Sequence, residues 1–270
     1  MKLAEFNGQA APEASSPFGA VLRSLRHRHR VSQLELADQA GSTPRYISFI
    51  ETGRSRPGRE LVERIADALD VSARDRAELL RAAGLAASVS EHHLTDAELD
   101  AHRIAIERLL STHKPFPACA MDAYGRVLAL NRPCALLNPG IDALSPEELV
   151  DAAVGPGPVR TAIVNFAEVA HGYVERLERR ARASTDPRLR ALADRARRHV
   201  TDIPRPSREA SNPTLTIQLR VGDDMTLSML ATIVRFEHAS DITLAELWIE
   251  LLFPADEPTR RWFEVAEAGR

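Results

Sequence analysis

Cysteine is almost missing. Cys119 and Cys134 are the only two in 270 residues, and each sits in an apolar stretch. Two isolated thiols exclude a disulfide framework and fit a reducing compartment. They also fall short of a zinc ligand set, which needs closely spaced pairs. His27 and His29 are two apart, and His92 and His93 are adjacent. Neither pair projects along one helix face as i, i+4 ligands do, so no metal is expected. No run approaches the roughly 20 apolar residues that span a bilayer. The opening MKLAEFNGQAAPEASSPF lacks the continuous apolar core of a signal peptide. A cytoplasmic chain with no membrane partner is expected. Phosphate-cradling Gly loops, nucleophile elbows and paired catalytic carboxylates are all missing, so neither an enzyme nor a cofactor is expected.

What is present is an uneven distribution of charge. Residues 21–59 hold eight arginines against three acids (Glu35, Asp38 and Glu51), although the whole chain carries a formal −3. A basic segment on an acidic body suits a polyanionic partner, because clustered arginines displace condensed counterions. A plain solvated surface would look the same by charge alone. The length allows two modest domains.

Residues 1–16, rich in Ala, Ser, Pro and Glu, read as a disordered arm. Phe18, Val21, Leu22 and Leu25 then recur at helical spacing, with Arg23, Arg26 and Arg30 on the opposite face. Ser32 and Glu35 are spaced as a capping box. They open a second helix that buries Leu34, Leu36, Ala37 and Ala40 and stops at Gly41. The stretch STPRYISFIETGRSRP predicts a very short third helix. Thr43 caps it, Pro44 takes its first position, and Gly53 lies just past its end. Ile47 and Ile50 face inward, while Arg45, Ser48, Phe49 and Thr52 share the outer face. ELVERIADALD is a fourth amphipathic helix, and Ser72 with Asp75 caps a fifth running toward Gly84.

Two short helices joined by a Gly-containing turn form a helix-turn-helix, whose second helix can enter a major groove. Gln33, Leu36–Ala37, Gly41, ETGRSRP and LVERIADALD resemble the Cro/repressor-like (Xre) family of bacterial regulators. The resemblance implies a five-helix, lambda-repressor-like domain over residues 17–85. It implies that Gln33 bonds a phosphate and braces the reading helix, and that Pro44, Arg45 and Ser48 stand where bases are read. Pro44 departs from the more usual polar residue and offers only apolar contact. Arg45 suits either a guanine edge or a phosphate. Phe49 suits packing against a loop better than a thymine methyl. Tyr46 suits half-buried structure and phosphate donation equally. Arg54 and Arg56 follow the helix directly and suit phosphate contact.

Beyond a connecting helix expected within residues 86–112, opened by Thr95 and Glu98 and burying Leu99, Ile104, Ile106 or Leu110, the period changes. PACAMD and RVLALN read as strands around AYG. SPEELV opens a small helix capped by Ser145. Val159, Ile163, Phe166, Ala170, Tyr173, Val174 and Leu177 trace one long amphipathic helix, and Asp186–Pro187 opens another. From Thr214, Leu215, Ile217, Leu219 and Val221 alternate with polar residues. Asp223–Asp224 turns the chain into MTLSMLATIVRF, and ITLAELWIELLF reads as a last strand. This order suits an α+β domain over residues 113–270, with an antiparallel sheet and helices on one face, as in PAS domains.

PFPACAMDAYGRVLALN and SDITLAELWIELLFPADEPTRRW resemble the MmyB-like ligand-binding domain. That resemblance implies a PAS-like pocket for a small apolar effector, with long-chain fatty acids as the ligand class. Leu128, Leu130, Phe166, Leu227, Met229 and Ile233 are the candidate lining, with a filled core as the plain alternative. NRPCALL faintly resembles a flavin-reactive cysteine motif but follows the second strand, the wrong place for it, so flavin is set aside. The expected function is sequence-specific regulation by a homodimer on a roughly palindromic double-stranded operator. The alternative is an adaptor or antitoxin-like protein whose second domain binds a protein partner.

Overall fold

The computed structural model describes residues 16–86, 96–206, 216–222, 224–236 and 241–269. The expected arm before Ser16, His92, His93, the capping Thr95, Thr214, Leu215 and the turn residue Asp223 lie outside the described residues. The chain divides into two compact units, Met1–Val89 and Ser90–Arg270.

The first unit is helical: α1 (Pro17–Arg28), α2 (Gln33–Gln39), α3 (Pro44–Glu51), α4 (Arg59–Ala68) and α5 (Ala73–Ala82). Four of the five starts are fixed by a side-chain oxygen that satisfies an otherwise orphaned backbone N–H. Ser16 accepts from Gly19 N, Thr43 from Tyr46 N and Ser72 from Asp75 N, and Ser32 with Glu35 closes a reciprocal capping box. None of these helices is long enough to persist alone. They are held by a common core of Leu22, Leu25, Leu36, Ile47, Ile50, Ile65, Leu79 and Leu80.

Two expectations fail here. Leu34 is 67% exposed, not buried. It lies two residues, about 200° of helix, from Leu36, and α2 is too short to bury two faces. Arg26 is not on a free basic face but only 9% exposed, drawn inward by Glu51. Helices α1 and α3 also meet closely. A Cβ on Gly19 would lie 2.1 Å from the Glu51 carbonyl oxygen, so only glycine fits.

The second unit begins with a 3-10 turn (Ala97–Leu99) and α6 (Asp100–Thr112), followed by β1 (Ala118–Met121), β2 (Val127–Leu130) and α7 (Arg132–Leu137). Then come α8 (Pro146–Val154), α9 (Pro158–Ala162), α10 (Phe166–Ala183) and α11 (Pro187–His199). The chain closes with β3 (Thr216–Val221), β4 (Met225–Arg235), α12 (Ile242–Glu246), β5 (Trp248–Pro254) and α13 (Glu257–Ala268). The five strands are antiparallel, in the order β2-β1-β5-β4-β3.

Alternation gives the sheet two faces. Ala118 and Ala120 pair with Leu251 and Ile249, and Ile106 and Leu110 of α6 pack over this face. Ile104 of α6, expected as a possible core residue, is exposed. On the other face, α7 packs Cys134 against Cys119 and Val127, and α13 packs Phe263 against Leu227 and Met229. Helices therefore cover both faces, not one. Helices α8, α10 and α11 form a separate bundle core around Val150, Ala170, Leu192 and Ala196.

Three local readings are corrected. The long helix expected from Val159 breaks between α9 and α10. There Ile163 bridges to Leu219, and Asn165 accepts from Gln218 N and donates to Thr216 O. The strand expected from Ile242 begins only at Trp248, because the Asp241 carboxylate accepts from Thr243 N and Leu244 N and winds α12. Helices α7 and α13 were not anticipated. Each is started by a short polar side chain, Asn131 or Asp256, with proline in the first turn.

Candidate functional site

Helix α3 shows how the first unit presents a reading surface. Ile47 and Ile50 are buried behind it, while Thr43, Pro44 and Arg45 are exposed and Tyr46, Ser48 and Phe49 half-buried. The Arg45 guanidinium lies over the Phe49 ring, 5.3 Å from its centroid, so one turn of the helix carries a stacked cation. Phe49 is half-buried beneath that guanidinium. Its carbonyl accepts from Arg54 N and Ser55 N, closing the chain reversal that follows. The Tyr46 hydroxyl donates to Arg56 O at 3.4 Å, which ties the loop back to the helix and leaves Arg54 and Arg56 exposed beside it.

The rear of α3 is held by a buried charge network. Glu51, 1% exposed, accepts from Arg26 Nε at 2.7 Å and Arg26 Nη2 at 3.2 Å, and from Gln33 Nε2 at 2.7 Å. Arg23 adds a 3.7 Å ion pair to the same carboxylate and donates to the Glu51 carbonyl. Burial pushes the Glu51 carboxyl up, but the bonds from Arg26 and Gln33 and the charges of Arg26 and Arg23 hold it below the ordinary range. Gln33 thus links the start of α2 to the end of α3, and its bond uses only one amide hydrogen. The result is a rigid two-helix unit with an open polar front.

The six candidate lining residues of the second unit are spread over three apolar clusters and the surface. Leu128 is exposed. Leu130 packs with Cys119 and Val127, Phe166 belongs to the α8–α10–α11 core, and Leu227 and Met229 lie under Phe263. Ile233 is 45% exposed. A cleft of ≈ 270 Å³ lies between α10 and α11 beside His171, Glu178, Arg197 and Ile203. It contains none of the six. Among the described residues no helix is long and apolar enough to cross a membrane, and no cluster of His, Cys, Asp or Glu is placed to hold a metal ion.

Residues 17–79 match the helix-turn-helix domain model, over the segment that folds as α1–α5. Residues 102–265 match the model of the MmyB-like transcription regulator ligand binding domain, more than half of the chain. The chain belongs to the MmyB-like transcription regulators. No curated protein matches it. This MmyB-like regulator joins a DNA-binding helix-turn-helix to a ligand-sensing domain built on an antiparallel sheet.

Sequence reasoning missed residues on which both halves of the regulator depend. Arg26 read as part of a basic helix face, and Glu51, 25 positions away, only as one of the few acids in the basic segment. Asn131, within RVLALNRP, read as the end of a strand. Its buried amide instead accepts from Ala118 N and Cys134 N and donates to Leu110 O and Phe116 O, so one side chain joins α6, β1 and α7. The signal available was an Asn-x-Pro after an apolar strand, the pattern of a helix cap. The two cysteines are free, buried and packed together; the neighbouring Cys134 thiol and then burial push the Cys119 thiol up, while the bond with Cys119 holds the Cys134 thiol down.

Proposed function

We propose that this MmyB-like regulator binds a specific, roughly palindromic operator as a homodimer and that a small apolar or amphipathic effector in the second domain biases the dimer between two geometries. The observation that carries the DNA half is the outward pair of Arg45 and Phe49 on a helix whose back is tied down by Glu51. Rigid support turns a short helix into a reading head, because each base contact depends on sub-ångström placement. Two such heads would enter major grooves about 34 Å apart. Gln33, Tyr46, Arg54 and Arg56 would hold phosphates, and Thr43, Pro44, Ser48 and Phe49 would line the groove side of the contact. Effector linkage of about 1–3 kcal/mol would suffice for regulation.

Two substitutions separate the assigned roles. Arg45→Ala should relax preference at one base position by about 1–3 kcal/mol, while Arg54→Ala should weaken all sequences alike and lower the salt dependence by about one phosphate. Binding titrations against operator variants at two salt concentrations read both effects, and equal, sequence-blind losses would reject the assignment. For the effector, the native protein is extracted with solvent and the extract examined by mass spectrometry; a bound fatty acid or similar amphiphile is the expected finding. A co-purifying protein with no small molecule would instead favour an adaptor. One observation favours that second reading: Leu136 of α7 is exposed beside Trp262 and Ala266 of α13, a small apolar rim open to a partner.

A further inference from the structure

A sheet face that serves only as core is a continuous apolar surface. The face of this sheet that carries α7 and α13 is not. Its apolar residues form two separate clusters, one around Cys119 and Val127 and the other around Leu227 and Met229. Between them the strands present Trp248 and Glu250 from β5, opposite Arg235 and Ile233 of β4 in register. Neither of the two charged residues belongs to an apolar cluster. Helix α10 supplies the roof of this interval. The Arg180 guanidinium stacks on the Trp248 ring, 3.8 Å from its centroid, and donates to the carbonyl of Ala123 in the β1–β2 turn. One helical turn earlier, Arg176 lies over the Tyr173 ring and is the charge that acts on Glu250.

The charges in this interval do not cancel. Arg176 and Arg180 from α10 and Arg235 from β4 border it, and no carboxylate among the described residues comes within the 4.0 Å of an ion pair with any of them. Burial holds Arg180 down to about 10, and the strongest charge acting on it is the like charge of Arg235; Asp122 and Glu246 oppose this more weakly. The carboxyl that does face the interval, Glu250, is pushed up by burial, which favours its neutral form. A cluster of this kind, partly desolvated and repelling itself, is stable only beside a counter-charge. Glu250, Tyr173, Arg176 and Arg180 all keep part of their surface uncovered, although they lie between helix and sheet. Partly exposed cationic groups thus border one place on this face of the sheet.

We propose that the interval between α10 and strands β4–β5 is the effector's head-group site. It binds the carboxylate or phosphate of a small organic anion, with Arg180 and Arg235 as its charged contacts and Trp248 as the wall that fixes Arg180. The guanidinium forks match planar or tetrahedral oxyanions in geometry as well as charge. The inference rests on reading the second unit as an effector domain and adds to it the head-group chemistry and its residues.

The test is calorimetric titration of the full-length protein with octanoate, octyl phosphate and octanol, which share a tail and differ in the head. At least one anion should bind about tenfold or more tightly than octanol, the ratio that one charge-assisted hydrogen bond provides. The preferred anion then distinguishes a carboxylate from a phosphate effector. Arg235→Gln, an exposed substitution that leaves the core intact, should weaken that anion about tenfold and leave octanol within about twofold; Arg180→Gln should do the same, with a blue or red shift of Trp248 emission. Equal binding of octanol and both anions, or anion binding indifferent to both substitutions, overturns the head-group site while leaving an effector domain that grips the tail. Failure of every probe also overturns it, and solvent extraction of the native protein then decides separately whether the domain carries any effector.

Discussion

Glu51→Ala should lower the opening free energy of the first unit by about 3–5 kcal/mol, the cost of removing one partner from a buried ion pair. The loss is large because Arg26 stays behind, 9% exposed, with its guanidinium still buried against the space Glu51 filled. Gln33 loses the acceptor that ties α2 to α3, and Arg23 loses its ion pair. Hydrogen exchange of peptides from α1, α2 and α3 measures the effect directly, since stability is distributed locally. Operator binding should fall with it. A change below about 1 kcal/mol would mean that the network does not support the reading helix.

The same carboxylate gives a pH dependence. Its folded pKa lies below its unfolded value, near 4.3 for a free Glu. The stabilisation is therefore fully present above that unfolded value and is lost as pH falls through the folded one. Wild-type α1–α3 should open progressively below about pH 4, and Glu51→Gln, already lacking the charge, should show a shallower acid slope over that window. Parallel slopes for the two proteins would remove Glu51 as the cause.

Asn131→Ala should destabilise the second unit by about 4 kcal/mol or more, because it orphans two buried N–H groups and two buried carbonyls at once. The amide is 5% exposed, so water cannot replace it cheaply. The unit offers a clean readout. Both tryptophans, Trp248 and Trp262, lie in it, so urea unfolding followed by tryptophan emission reports this unit and not the first. Asn131→Asp keeps both accepted bonds but turns a carboxylate toward the carbonyls of Leu110 and Phe116, and should be impaired nearly as much. An Asn131→Ala protein within about 1 kcal/mol of wild type would show that those four groups find other partners.

Legibility differed between the halves for a physical reason. In the first unit the information is local. Ser32 with Glu35, Thr43 with Pro44, and the spacing of Ile47 and Ile50 act within one turn of helix, so caps, lengths and the inward face could be read from the string. Leu34 shows the limit: its own character is apolar, but which side of a seven-residue helix meets the core is decided by the neighbours α2 packs against. In the second unit, Ile217, Leu219 and Val221 alternated as a strand and became one, because alternation is also local. The lining candidates are spread over several clusters, because a strand pattern says that one face is buried but not which helix buries it. Leu227 and Met229 met Phe263 of a helix not anticipated at all.

The sequence by itself determined the helix-turn-helix, its outward Arg45, the strand-rich second half and the resemblance of both to known regulators, since each depends on residue type at short spacing. Only the tertiary structure decided that Arg26 closes on Glu51, that Asn131 joins three elements, and that Arg180 stacks on Trp248, the register partner of Arg235. Most of those partners lie far apart in the chain, up to 68 positions for Arg180 and Trp248, and nothing in a chain's order encodes a distance between side chains until packing and hydrogen bonding have chosen one arrangement of its elements.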